Sequence, residues 1–149
     1  MIGGLFVVLM LVGAGCGSVS DNTVTSDKAT LEMPSGKTIT VDVARTLSEQ
    51  ATGLSGRDDV SPGMLFCMSK TEVQNFWMLG MKVPIDVVWI HGGDVDSVSA
   101  DVPLRENDDV ARMSSLGPVN MVLELPAGDA EKYDIEPDTF IAGAVEACG

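Results

Sequence analysis

VPIDVVWIHGGDVDSVSAD, Val83 to Asp101, is the stretch that decides the class of fold. Val83 to Ile90 and Val95 to Asp101 are rich in β-branched side chains, and the His91-Gly92-Gly93-Asp94 step between them carries the glycine pair of a tight hairpin turn. Two strands joined this closely must pair antiparallel, because a parallel pair needs a crossover of a dozen or more residues. The reading is therefore β-hairpin, and the rest of the chain extends it.

Upstream, Ile39, Val41 and Val43 alternate with Thr38, Thr40 and Asp42, the period of a strand with one buried face, and Pro34, Ser35 and Gly36 supply a turn before it. Thr46-x-x-Glu49 is a capping box, with Gly53 placed to end a helix of about two turns. Further strands are predicted at Met64 to Met68, Asn75 to Met78, Val119 to Leu125 and Thr139 to Ala142, with a turn at Asp129 to Tyr133. Pro103 to Pro118 has charge, Gly and Pro but little periodicity, and reads as a long exposed loop. The fold class expected is all-β: a single antiparallel sandwich or barrel-like domain over residues 31–149, with one short α-helix.

Acidic residues number 22 against 9 basic ones, for a net charge of −13 over 149 residues. Such a surface repels nucleic acid and anionic headgroups, so nucleic acid is excluded as an expected partner. The same excess destabilises a folded domain by self-repulsion at low ionic strength, a penalty that molar salt screens at a Debye length of about 3 Å. The composition suits a halophile, with an ordinary acidic exported protein as the alternative.

Leu5 to Val12 is a compact apolar run followed by Gly13, Ala14, Gly15 and Cys16. That order is an h-region, small residues and a lipidatable cysteine, so residues 1–16 are read as a signal and lipobox segment with lipidation at Cys16. A cleaved secretory signal or an uncleaved membrane helix are the alternatives, and all three place the domain on the extracytoplasmic side of the cell membrane. Residues 17–30 are rich in Ser, Thr and Asp and are expected to form a flexible tether.

The run Phe76 to Asp86, FWMLGMKVPID, resembles the signature of the domain-of-unknown-function 192 family, usually FWMKNT-x-IPLDI. The resemblance extends from about Thr38 to Phe140 through TLSEQATGLSGR (Thr46 to Arg57), GMLF (Gly63 to Phe66) and LELPAG (Leu123 to Gly128). Where the family pattern has Lys-Asn-Thr, this chain has Leu79, Gly80 and Met81. The resemblance implies no particular activity.

Asp86 lies between apolar residues on both sides and, if buried, needs a partner, for which Arg57 is the natural candidate. Glu124, between Leu123 and Leu125, points to the face opposite theirs. Arg57, Asp86 and Glu124 form the candidate polar site; the plainer reading makes the first two a structural ion pair and Glu124 a surface residue. Phe76 and Trp77 are adjacent on a strand, so one of them is a candidate for a pocket rim. Once Cys16 is set aside, Cys67 and Cys148 are either two free thiols, the reading preferred here, or a disulfide.

Ser55 lacks the spacing of a nucleophile elbow, and the single histidine, His91, belongs to the Gly-Gly turn. No zinc, calcium or phosphate-loop spacing is present, so no metal or cofactor is expected. The leading functional expectation is a membrane-tethered, non-catalytic binding or interaction module. The alternatives are a hydrolase or sugar-processing enzyme using Asp86 and Glu124 as a carboxylate pair, or an envelope stability factor.

Overall fold

A computed structural model describes residues 27–106 and 109–149. The central hairpin forms as expected: β5 (Ile85–His91) pairs with β6 (Asp94–Val102), with His91 opposite Asp94 across the Gly92-Gly93 turn. Every residue of β5 from Ile85 to Ile90 is buried. A strand covered on both faces reads as a continuous apolar run, which Val87 to Ile90 shows, with Asp86 as the polar exception.

The other strands of the main sheet are β1 (Asp27–Glu32), β2 (Thr38–Ala44), β3 (Met64–Glu72) and, after β4 (Asn75–Trp77), β7 (Arg105–Glu106), β8 (Asp109–Val110) and β9 (Arg112–Ser114), the long β10 (Val119–Pro126). Their order is β1-β2-β3-β10-β5-β6. All neighbours are antiparallel except β2 and β3. The sheet is thus mixed and open, with β1 and β6 at its edges, and the expected antiparallel sandwich or barrel gives way to one six-stranded sheet. The physical reason is the connection after β2. Residues 45–63 carry the helix α1 (Leu47–Thr52) and are long enough for a crossover, so β3 returns parallel beside β2.

α1 is placed by its cap. Thr46 Oγ accepts the Glu49 N–H at 3.2 Å, and the Glu49 carboxyl accepts the Thr46 N–H at 2.8 Å. The Thr46 and Arg45 N–H groups, both donating to it, hold the Glu49 carboxyl below the usual carboxylate range. At the sheet end of the crossover Gly63, at φ +126°, lies against Glu124 O, where any Cβ would collide with the β10 backbone.

Side chains on the first face of the sheet, among them Leu65, Val88, Ile90, Leu123 and Leu125, pack under α2 (Asp129–Lys132), Ile135, Ile141 and α3 (Ala144–Cys148). Those on the second face, Phe66, Val87, Trp89 and Val122, pack with Leu54, Met78 and Ala111. Phe76 of β4 meets Phe66 and Trp89 edge-on, with ring centroids at 5.3 and 5.6 Å. Edge-to-face pairs of this kind add about 0.5–1.5 kcal/mol beyond their buried area.

Several expectations are corrected. Pro103 to Pro118 is not a structureless loop: β9 pairs with β4, β7 with β8, and Ala111 is buried, its C=O accepting from the Met78 N–H. Thr139 to Ala142 forms two isolated bridges, Phe140 to Asp94 and Ala142 to Glu32, in place of a strand. Asp27 to Thr30, read as tether, belong to β1 and pair with β2. Cys67 and Cys148 are joined in a disulfide, with Cα atoms 5.3 Å apart, where two free thiols were expected. The bridge ties α3 to β3, and the Arg45 guanidinium donates to Ala147 O beside it. The lipobox segment with Cys16, and the tether up to Ser26, lie outside the described residues.

Candidate functional site

Arg57, Asp86 and Glu124 do not converge. Arg57, 37 % exposed, donates from Nη1 to Asp42 Oδ2 at 2.8 Å. Lys28 Nζ meets the other oxygen of Asp42 at 2.6 Å. The Arg57–Asp86 ion pair expected from the two motifs is therefore replaced by an Arg57–Asp42 pair near the parallel junction of β2 and β3, where Asp42 stands opposite Met64.

Asp86 is 1 % exposed and accepts two backbone N–H groups, from Asp101 at 2.8 Å and from Ala130 at 2.8 Å. The second bond explains the residue. α2 begins at Asp129 after an N-cap, Gly128, that has no side chain with which to cap. Asp86 reaches across from β5 and supplies the missing acceptor to the second residue of the helix, the position an N-cap side chain ordinarily serves. This carboxylate is structural and satisfied.

Glu124 is of the opposite kind. In β10 the side chains of Leu123 and Leu125 enter the first face, whereas Glu124 shares the second face with Val122. Asp86 alternates with Val87 on β5 and bonds Ala130 on the first face. The two carboxyls therefore lie on opposite sides of the sheet, and the carboxylate-pair geometry of a glycosidase, which needs both in one cleft, is not formed.

Glu124 is 7 % exposed and lines a cleft of about 250 Å³ that opens to solvent. Among the described residues none offers its carboxyl a hydrogen bond or an ion pair. Burial alone raises its pKa from 4.5 to about 7. One wall of the cleft is α1 and the residues after it, from Gln50 to Ser55. The other walls are Phe66 and Met68 of β3, Phe76 and Trp77 of β4, and Leu79 and Met81 beyond β4.

The mouth is apolar and exposed, with Trp77 at 63 % and Leu79 at 61 %. The pocket-rim expectation for the Phe76–Trp77 pair is resolved by strand alternation: Phe76 turns into the core, Trp77 outward. The lip is held by Gly80, whose C=O accepts from the Gly56 N–H at 2.8 Å. Gly80 sits at φ +76° with Ser55 Oγ where a Cβ would go, so any other residue there would be strained and would have to displace the Ser55 hydroxyl. Sequence reasoning picked out Glu124, Phe76 and Trp77, but missed Leu79, Met81 and the Gln50–Ser55 wall. Gly53-Leu54-Ser55-Gly56, between a helix stop and the Arg57 motif, was the available signal.

The geometry so far defines a small sheet domain with a partly apolar cleft lined by an acid that has no partner among the described residues. The chain belongs to the uncharacterised ACR family called domain of unknown function 192, whose model matches residues 29–142. Similar solved structures include a candidate transcription regulator from Sinorhizobium meliloti 1021, at 31 % identity and a TM-score of 0.69, covering 80 % of this chain and 96 % of that one. A second, a protein of unknown function from Novosphingobium aromaticivorans, is 27 % identical with a TM-score of 0.64, covering 76 % and 82 %. No curated protein matches.

Proposed function

We propose that the chain is a membrane-tethered binding module of the extracytoplasmic space, whose cleft around Glu124 takes a small, partly apolar ligand without turning it over. One observation carries the reading: a carboxyl at the floor of a solvent-open cleft is buried and has no partner within the described protein. A buried polar group left unpaired costs about 1–3 kcal/mol, and more when charged, so a group that a ligand completes accounts for the arrangement where packing does not. The apolar mouth of Trp77 and Leu79 supplies the surface that an apolar part of the ligand would cover.

The tether rests on the apolar run Leu5 to Val12 ahead of Ala14-Gly15-Cys16. The Cys67–Cys148 bridge supports a location outside the reducing cytoplasm, where disulfides persist. The regulator description of the Sinorhizobium relative is not carried over, because a net charge of −13 opposes binding to nucleic acid.

A fragment screen read by tryptophan emission tests the cleft. Trp77 lines its mouth while Trp89 is buried in the core, so an occupant should shift a signal that Trp77→Phe removes. No shift and no change in melting temperature across the screen would refute the binding reading and favour a structural role in the envelope. Cys16→Ser should release the protein from membranes; unchanged retention and mass would reject lipidation.

A further inference from the structure

We propose that the cleft recognises a small organic ammonium ion, its charged end on Glu124 and its apolar end between Trp77 and Leu79. The inference rests on the binding role proposed above and names the class of ligand. Of the described side chains lining the cleft from α1, β3, β4, the β4–β5 connection and β10, Glu124 is the only one that titrates. Among the described residues no lysine, arginine or histidine lines the walls to neutralise it, and the polar groups present, Gln50, Thr52, Ser55 and Asn75, carry no charge.

Three of those groups are already engaged: Asn75 Oδ1 accepts from Ser114 Oγ at 2.7 Å, and the other two donate to carbonyls. Gln50 Nε2 donates to Cys67 O at 2.7 Å, and Thr52 Oγ1 to Ser48 O at 3.0 Å. The cleft therefore has an acceptor in need of a donor, and an ammonium brings up to three donors with the opposite charge. An anionic ligand would meet the carboxylate with like charge.

The walls point the same way. Phe66 and Phe76 present aromatic surface in the same walls, and a cation is attracted to an aromatic face. The net charge of −13 draws cations toward the domain and repels anions. At about 250 Å³ the cleft falls below the roughly 300–1,000 Å³ of drug-sized sites, so the occupant is a compact amine. Because the carboxyl must be ionised to receive the ammonium, proton and ligand compete for one group.

The test compares phenethylammonium with 2-phenylethanol, its uncharged analogue of similar shape, and with 3-phenylpropionate. Binding to the full chain and to Glu124→Gln is followed by Trp77 emission and calorimetry. The ammonium should bind the wild type about 10- to 100-fold more tightly than the alcohol, the range of one charged hydrogen bond. Its affinity should fall about tenfold per pH unit below the Glu124 value, and Glu124→Gln should lose both the preference and the pH dependence.

A folded Glu124→Gln that keeps the preference for the ammonium would overturn the assignment of the charge to Glu124. Equal binding of amine and alcohol, or better binding of the propionate, would overturn the ammonium inference and leave the cleft as a binding site. Failure of all three probes, together with a blank fragment screen, would overturn the inference and the binding reading with it.

Discussion

Replacing Glu124 by glutamine should make the domain more stable at neutral and alkaline pH, the reverse of what most buried substitutions do. The folded-state value is about 7 against an ordinary 4.5, and burial is the cause. Between these values the native state holds a proton that the unfolded chain has released, so unfolding is accompanied by proton loss and stability falls as pH rises. The contribution is intact below about pH 4.5 and lost above about pH 7. A difference of about 2.5 units at 1.36 kcal/mol each puts the loss near 3 kcal/mol. Glutamine keeps the size of the side chain and cannot ionise, so it escapes the loss. Urea unfolding of wild type and Glu124→Gln, from about pH 4.5 to about pH 8 in molar salt to screen the surface acids, gives a difference curve in which the shared residues cancel. The difference should start small and grow to about 3 kcal/mol in favour of glutamine. A flat difference within about 0.5 kcal/mol would refute the buried, unpaired state of Glu124. So would a wild type that is the more stable of the two at high pH, since that requires a donor to the carboxylate.

Asp86→Asn should cost about 2–4 kcal/mol, because the amide keeps one acceptor oxygen but turns an NH₂ toward the second backbone N–H. Arg57→Ala, which removes a half-exposed pair with Asp42, should cost under about 1 kcal/mol; strong coupling between the two substitutions in a double-mutant cycle would restore an Arg57–Asp86 interaction. Reducing the disulfide, or Cys148→Ser, should lower stability by as much as about 4–5 kcal/mol, the loop-closure value for a separation of 81 residues. An unchanged denaturation midpoint after reduction would show that the bridge does not constrain the chain. The domain should melt higher in molar salt than at low ionic strength, since 22 acids face 9 bases, and a melting temperature independent of salt would remove the halophile reading.

What could be read in the sequence was local. The Gly92-Gly93 hairpin, the Thr46–Glu49 capping box and the Pro34–Gly36 turn are each specified by residues within a few positions of one another, and each formed. The parallel pairing of β2 and β3 was not legible, because strand period says which face a side chain takes but not which strand becomes its neighbour. That gap propagated to the site. Without β2 beside β3, Asp42 looked like a surface residue, and Arg57 was assigned to Asp86. Glu124 was read onto the face opposite Leu123 and Leu125, which is correct, but its burial depends on α1 and β4 folding over that face. The disulfide likewise depends on a separation that only the docking of α3 against β3 supplies.

Asp86 and Glu124 show how a satisfied acid and an unsatisfied one can be told apart within one sheet. They are almost opposite each other across β5 and β10, with Asp86 paired to Leu125 and Glu124 to Val87. Strand alternation sends one to each face, and their surroundings then differ in kind. Asp86 meets two N–H groups, one at the start of a helix whose own cap is a glycine, so removing the carboxylate leaves buried donors without an acceptor. Glu124 meets apolar walls and an open mouth, so removing its charge leaves nothing orphaned within the described protein. A side chain that the fold needs is one whose loss unbalances the fold. Glu124 fails that test, and on the binding role proposed above the group that balances it enters through the mouth of the cleft, past Trp77.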